Sequence, residues 1–334
     1  MATHAKVELG RGERVLPGLW RLRLALPLDG VPHCNAWAIR DGDGIVLVDC
    51  GMYEPAGDGH PGSIVALETA MAQVGLRPEQ VTKLVITHAH FDHWGQSKTV
   101  VERSGAEMWM HPNHAHAFEI VLEPERYIER LVDIGRQSGV PEPAIAEFKA
   151  SLGEHSSGIA GLVEPAHELV SGVTIGNDLG DWEVYETPGH APSHICLYQP
   201  ERRILISGDH VLGRIAPYFD YGYTPDPIAE FLGSLELVDQ LGARLALSGH
   251  GRPFGDVHEH IRATIDLVQQ RLAITRTNAA AGGLTALGLA MAIYHSGFDR
   301  SVSWRLTEAL CLLHHLRLAG EIKTEADGVR WRLA

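Results

Sequence analysis

Residues 83–87 (KLVIT) lead directly into His88-Ala89-His90-Phe91-Asp92-His93. A short, continuous apolar run of this kind reads as a strand covered on both faces. The polar cluster then falls on the loop at that strand's carboxyl end. Four side chains of metal-ligand type lie within six positions. His88 and His90 alternate, so an extended backbone turns both the same way. Asp92 and His93 come after the turn and can address a second ion. The chain must therefore build a buried strand with its end free for ligation.

Three more residues of ligand type follow strand-like runs. They are His190 in Thr187-Pro188-Gly189-His190, Asp209 in Ser207-Gly208-Asp209, and His250 in Ser248-Gly249-His250-Gly251. Each alone reads more readily as a structural residue. Together with the cluster they read as one site, because the adjoining glycines permit tight turns and close backbone approach. Asp49 ends another buried run, GIVLVD.

The remaining pattern is αβ. Strands are expected at 20–26, 35–39, 44–49, 107–111, 173–175, 182–187, 194–198, 203–207 and 244–248, with a hairpin turn at Asp41-Gly42-Asp43-Gly44. Helices are expected at 63–75, with Ser63 as N-cap and Gly75 as stop, at about 95–104, and after Asp226-Pro227. Residues 112–170 read as two or three helices interrupted at Pro124 and Pro141, inserted between strand blocks. After 254 three helices (about 256–277, 284–295, 301–319) precede a hairpin turning at Asp327-Gly328, a winged-helix-like pattern. The division expected is 1–260 and 261–334.

Charge supports that division. The chain carries 28 basic and 42 acidic side chains, a net charge of −14. Residues 262–334 hold nine basic and six acidic groups, +3, leaving −17 on the rest. An acidic body disfavours nucleic acid as a general partner. Cys34, Cys50, Cys196 and Cys311 form no CxxC pair, which excludes a disulfide scaffold or zinc finger. No signal-peptide core or membrane-length apolar run is present, so a cytoplasmic setting without membrane contact is expected.

HAHFDH matches the HxHxDH motif, and the chain resembles the metallo-β-lactamase fold superfamily over about residues 15–255. The resemblance implies an αββα sandwich of the α/β class, with the helical insertion 112–170 lying over the site. It implies that His88, His90 and His190 hold one divalent ion and Asp92, His93 and His250 a second, with Asp209 bridging. It places Asp49 and His194 behind these ligands as supports. Zn is expected from the mixed N/O donors, with Fe or Mn as alternatives. A metal-bridging hydroxide, oriented by Asp92, would then attack a carbonyl or phosphoryl centre.

Departures narrow the class. Asp209 stands where the antibiotic-hydrolysing branch tends to have cysteine, so the chain looks more like the glyoxalase-II-type thioesterases, lactonases and nucleases. His90 stands where the flavodiiron branch has a carboxylate. The basic residues with which glyoxalase II holds glutathione cannot be matched. The expected substrate is a small carbonyl compound, a thioester or else a lactone or ester. Arg214, Tyr218, Tyr221 and Tyr223, on the long loop after Asp209, are candidate substrate contacts. The alternative is a phosphodiesterase or ribonuclease that uses the tail. The third tail helix has Arg300, Arg305 and Arg317, but leucines dominate it, so it reads as a packing helix or homodimer face. His111, His114, His116 and His210 are read as structural, as are Cys50 and Ser207.

Overall fold

The computed structural model describes residues 10–28, 30–57, 61–152, 157–214, 217–295 and 302–334. Two sheets stack face to face. The first runs β1 (Arg11–Leu16), β2 (Leu19–Leu28), β3 (Val31–Asp41), β4 (Gly44–Val48), β5 (Val81–Val85), β6 (Glu107–Met110) and β7 (His167–Glu168), in that spatial order. The second is ordered β12 (Leu245–Ser248), β11 (Ile204–Gly208), β10 (Ile195–Gln199), β9 (Gly180–Glu186) and β8 (Thr174–Asn177). Pairing is antiparallel from β1 to β4 and parallel from β4 to β7.

The run GIVLV shows why both faces of a central strand are apolar. Val46 and Val48 pack between the sheets with Trp37, Val85, Trp182 and Leu197. Ile45 and Leu47 face outward, onto Leu67 and Met71 of α1 (Ser63–Gln73). The period-two alternation assigns one residue set to each layer. β1 (RGERVL) lies outside the sequence expectation. It is half-exposed along its length and pairs only with β2, so it has no apolar face to reveal it. Ser63 is the first helical residue, and Gly62, at φ 87°, is the N-cap. The Ser63 hydroxyl instead accepts from Glu54 N–H, so its oxygen is engaged outside the helix. Asp226 caps the 227–240 helix as its sequence suggests, accepting from Ala229 N–H at 3.1 Å.

The expected 95–104 helix is α3 (Ser97–Ser104), and a separate single turn, α2 (Phe91–Trp94), precedes it within the histidine motif. The insertion forms α4 (Ala115–Leu122), α5 (Pro124–Gln137) and α6 (Glu142–Leu152). Phe118 of α4 is buried in the first sheet's outer layer and stacks on Trp94, ring centroids 5.2 Å apart. Ile134 of α5 is buried in the second sheet's outer layer. The insertion thus straddles both layers.

That second outer layer holds α7 (Pro227–Gln240), α8 (Val257–Ala279), α9 (Ala286–Tyr294) and α10 (Val302–Leu318), then the β13 (Ile322–Thr324) and β14 (Trp331–Leu333) hairpin. One apolar cluster joins Tyr198 and Leu205 of the sheet to Phe231, Leu272, Leu310, Leu313 and Trp331, crossing residue 260 without a gap. Among the described residues no helix is long and apolar enough to cross a membrane. The four cysteines are free and buried. Arg300 lies outside the described residues.

Candidate metal centre

The centre is built where strands end. After β5, His88 and His90 keep an extended path. His90 (φ −82°, ψ 139°) then starts the single turn α2, which carries Asp92 and His93 round to the other side. His190 follows β9, Asp209 follows β11 and His250 follows β12. All seven meet at one end of the sandwich.

Every imidazole there turns one nitrogen outward to an acceptor. His90 Nε2 faces both oxygens of Asp220 at 3.1 Å, and His190 Nδ1 donates to the Tyr218 carbonyl at 2.9 Å. His93 Nδ1 donates to Asp49 Oδ2 at 2.8 Å, and His250 Nδ1 donates to the His33 carbonyl at 2.8 Å. Thr87 Oγ1 donates to Asp49 Oδ2 (2.9 Å), so it accepts from His88 Nδ1 (3.0 Å). Carbonyls and carboxylates only accept, which places a proton on each outer nitrogen and leaves the inner nitrogen as the atom that faces the centre.

The inner nitrogens of His88, His90 and His190 lie 3.0–3.3 Å from one another. Their lone pairs converge on one point, as ligands of a common ion do. On the other side His250 Nε2 is 3.1 Å from Asp209 Oδ2 and 3.4 Å from Asp92 Oδ2. His93 Nε2 and Asp209 Oδ1 are buried without a hydrogen-bond partner. Three groupings have spacing that could hold metal: His88–His90–His190, His88–His93–Asp209 and Asp92–His93–His250. The donor set is mixed N/O, which suits Zn²⁺ and related divalent ions. Residues and group fit.

Asp49, at φ 60° and 1% exposed, ties the halves together: it reaches His93 directly and His88 through Thr87, and also accepts from Thr87 N–H at 2.8 Å. His194 accepts from the Asp209 N–H at 3.1 Å, and its Nδ1 is 2.8 Å from Thr187 Oγ1, so it holds the backbone of the Asp209 loop. A Cβ on Gly249 would run into the Asp209 carboxylate and the His93 ring, so the close approach requires glycine there.

The His250 loop is clamped from the first sheet. Asn35 donates to the carbonyls of Ser248 (2.8 Å) and Gly251 (2.9 Å). Arg21, 2% exposed, donates to Asn35 Oδ1 (2.8 Å) and to the Gly251 carbonyl (2.6 Å). Neither residue carries a sequence signal, because each acts across more than 200 positions. Beside them, burial and then the Arg21 charge push the His33 imidazole down to about 4. A histidine lowered in the fold takes its proton first in the unfolded chain. Its contribution is therefore full above about pH 6.5 and is lost as pH falls towards 4. NMR titration of the His33 ring is expected to give a midpoint near 4; a midpoint at or above 6.5 would contradict the clamp.

Electrostatics divide the centre. Burial, reinforced by neighbouring imidazoles, lowers His88 strongly and His190 to about 4, so both are neutral donors. Burial alone would also lower His250, but Asp209 and Asp92 raise it to about 10. Burial would raise Asp92, but His93 and His250 lower it to about 2. Binding a divalent ion on this side therefore displaces protons. Burial would likewise raise Asp220, and His90 and His116 hold it well below the carboxylate range.

Of the loop residues expected to meet substrate, Tyr218 lies nearest the imidazoles, with ring centroids 5.4 Å from His90 and 5.7 Å from His190. Tyr221 turns to α10, its hydroxyl 2.9 Å from His314 Nε2. Tyr223 packs on His116 (4.5 Å), with the Arg130 guanidinium 3.9 Å over its ring. Arg214 is exposed and joins neither group among the described residues. Asp220 and Thr87, like Asn35 and Arg21, are supports that the sequence does not mark. Asp220 lay inside a loop read for its tyrosines and arginine, and only its position would have marked it.

His111 binds Glu186 (2.9 Å) and caps the turn that follows, and His114 donates back to the His111 carbonyl (2.9 Å). His210 packs edge-on against Phe231 (4.7 Å), away from the centre. Cys50 and Ser207 bond to the backbone of His93 and Val211.

The sequence model of the Metallo-beta-lactamase superfamily matches residues 29–250. The chain is 23% identical over 282 residues to the "Probable metallo-hydrolase YqjP" of Bacillus subtilis, across 80% of this chain and 82% of that one. It is 25% identical over 239 residues to the "Acyl-coenzyme A thioesterase MBLAC2" of Homo sapiens, across 67% and 75%. The crystal structure of a beta-lactamase domain protein from Burkholderia ambifaria superposes with a TM-score of 0.82 at 27% identity, covering 99% of this chain and 97% of that one.

Proposed function

The chain belongs to the metallo-beta-lactamase superfamily and is a metal-dependent hydrolase, and on that premise we propose that it cleaves a small thioester at a two-ion centre. The observation that carries this reading is the inward convergence of five imidazole nitrogens and two carboxylates, each imidazole fixed from behind. His88, His90 and His190 would hold one ion and Asp92, His93 and His250 the other, with Asp209 shared, and Zn as the expected metal. Bound there, two ions supply an acidified water and polarise the attacked carbonyl.

The chain's own groups do the rest. Asp92 has the more exposed of the two carboxylates, 12% against 9%, and is placed to orient the attacking water. Tyr218 forms the aromatic wall beside His90 and His190. A thiolate is a good leaving group, so no further acid is required on that side. The thioester reading draws support from the thioesterase among the relatives. The nucleic-acid alternative loses ground at α10, whose Leu306, Leu310, Leu312, Leu313 and Leu316 are buried in the core.

The test is a panel of acyl thioesters, lactones and phosphodiesters, assayed with chelator and with metal restored. Thioester kcat/KM is expected to exceed the others by at least about tenfold, which corresponds to about 1.4 kcal/mol. Activity should vanish on chelation and return with Zn²⁺ or Mn²⁺. Faster turnover of phosphodiesters would overturn the thioester reading.

A further inference from the structure

Asp220 belongs to no motif, yet it touches three parts of the protein. Both carboxylate oxygens lie 3.1 Å from His90 Nε2. Its backbone N–H donates to the His190 carbonyl at 3.0 Å, two residues after the Tyr218 carbonyl takes His190 Nδ1. On its far side Oδ2 lies 3.6 Å from His116 Nε2, in the helical insertion. The carboxylate is 10% exposed and the His116 side chain 12%. His116 is itself held at its other nitrogen, Nδ1 donating to the Asn113 carbonyl at 2.7 Å.

A carboxylate behind an imidazole ligand fixes its tautomer and ring plane and raises the basicity of the ligating nitrogen. Here the same carboxylate also faces the first turn of α4. That helix is also seated by Tyr223 on the His116 ring, by Ala117, Ile120 and Val121 against the first sheet's outer layer, and by Phe118 on Trp94, which ends the motif turn α2. Two of the attachments of α4, His116 on Asp220 and Phe118 on Trp94, therefore lead to the residues that converge at the centre.

We propose that Asp220 is a positioning residue that sets His90 for the metal and, through His116, seats the insertion, so that metal occupancy and the docking of α4 are linked. The linkage is reciprocal: whatever α4 docking adds to metal affinity, metal binding adds to α4 protection. The proposal rests on the two-ion reading above.

The test uses the full chain with Zn²⁺ or Co²⁺ alone, on wild type, Asp220→Asn and His116→Gln. Metal affinity is read by chelator competition, α4 docking by hydrogen exchange of residues 115–122, and the His90 ligand field by the Co²⁺ absorption band. In wild type, metal is expected to slow α4 exchange. Asp220→Asn is expected to weaken metal binding roughly 10- to 100-fold, to shift the Co²⁺ band even at saturation, and to abolish the effect of metal on α4. His116→Gln is expected to speed α4 exchange and cut its metal response while the Co²⁺ band stays. A merely structural Asp220 would leave the saturated band unmoved.

Wild-type affinity and an unmoved band in Asp220→Asn would overturn the proposal and leave the two-ion reading standing. Wild-type protein that binds no metal would overturn both. Should Asp220→Asn fail to fold, His116→Gln decides: an unchanged metal response of α4 overturns the linkage.

Discussion

His90→Ala is expected to lose metal and hydrolase activity together. The His90 inner nitrogen is one of three that converge within 3.0–3.3 Å, and two imidazoles cannot close that side of the centre. An ion that polarises the attacked carbonyl supplies several kcal/mol at the transition state, so kcat/KM should fall by roughly 10³-fold or more. The fold should survive, because His90 is a loop residue whose ring is partly open to solvent (20%). Metal analysis beside far-UV circular dichroism and kinetics is the check. Full metal content with activity lost, or activity kept with metal lost, would each refute the assignment of His90.

The second large effect is expected on stability. Asp49→Ala leaves the Thr87 N–H and the His93 Nδ1–H buried without an acceptor and releases the Thr87 hydroxyl that orders His88. Each unsatisfied buried donor costs about 1–3 kcal/mol, so about 3–5 kcal/mol in all is expected. Alanine at φ 60° adds strain. Asp49→Asn separates charge from shape. Asparagine tolerates the left-handed conformation and keeps an acceptor, so most of the stability should remain while metal affinity drops by roughly 10- to 100-fold. Urea denaturation and chelator competition measure the two effects. An unchanged urea midpoint for Asp49→Ala would rule out the bridging role.

The contrast between Asp49 and Asp220 shows how far a sequence could be read here. Asp49 ends a buried run, GIVLVD, where the resembled superfamily carries a supporting aspartate, so the resemblance marks it as a support. Asp220 supports His90 in much the same way, but it lies in a polar loop where an aspartate is ordinary. Asn35 and Arg21 are harder still: they hold the Ser248–Gly251 turn from strands of the other sheet. β1 carries no such signal because a half-exposed edge strand of mostly polar residues has no alternation to show.

The tail divides in the same manner. Its three helices and hairpin follow from local periodicity and turn residues. That its leucines join one cluster with the second sheet follows only from packing. The loop tyrosines were grouped by sequence proximity, yet Tyr218 turns to the imidazoles, Tyr221 to α10 and Tyr223 to the insertion.

By itself the sequence determined most of the strands, the seven ligand-type residues gathered at their ends and turns, and the class of chemistry those residues suit. These are local properties, carried by the alternation of apolar residues and the spacing of polar ones within a few positions. The tertiary structure alone decided which nitrogen of each histidine faces inward, since that depends on an acceptor supplied by a distant segment. It also brought Asp220 and His116 together, because two residues 104 positions apart can meet only once the sheets have stacked and the insertion has docked.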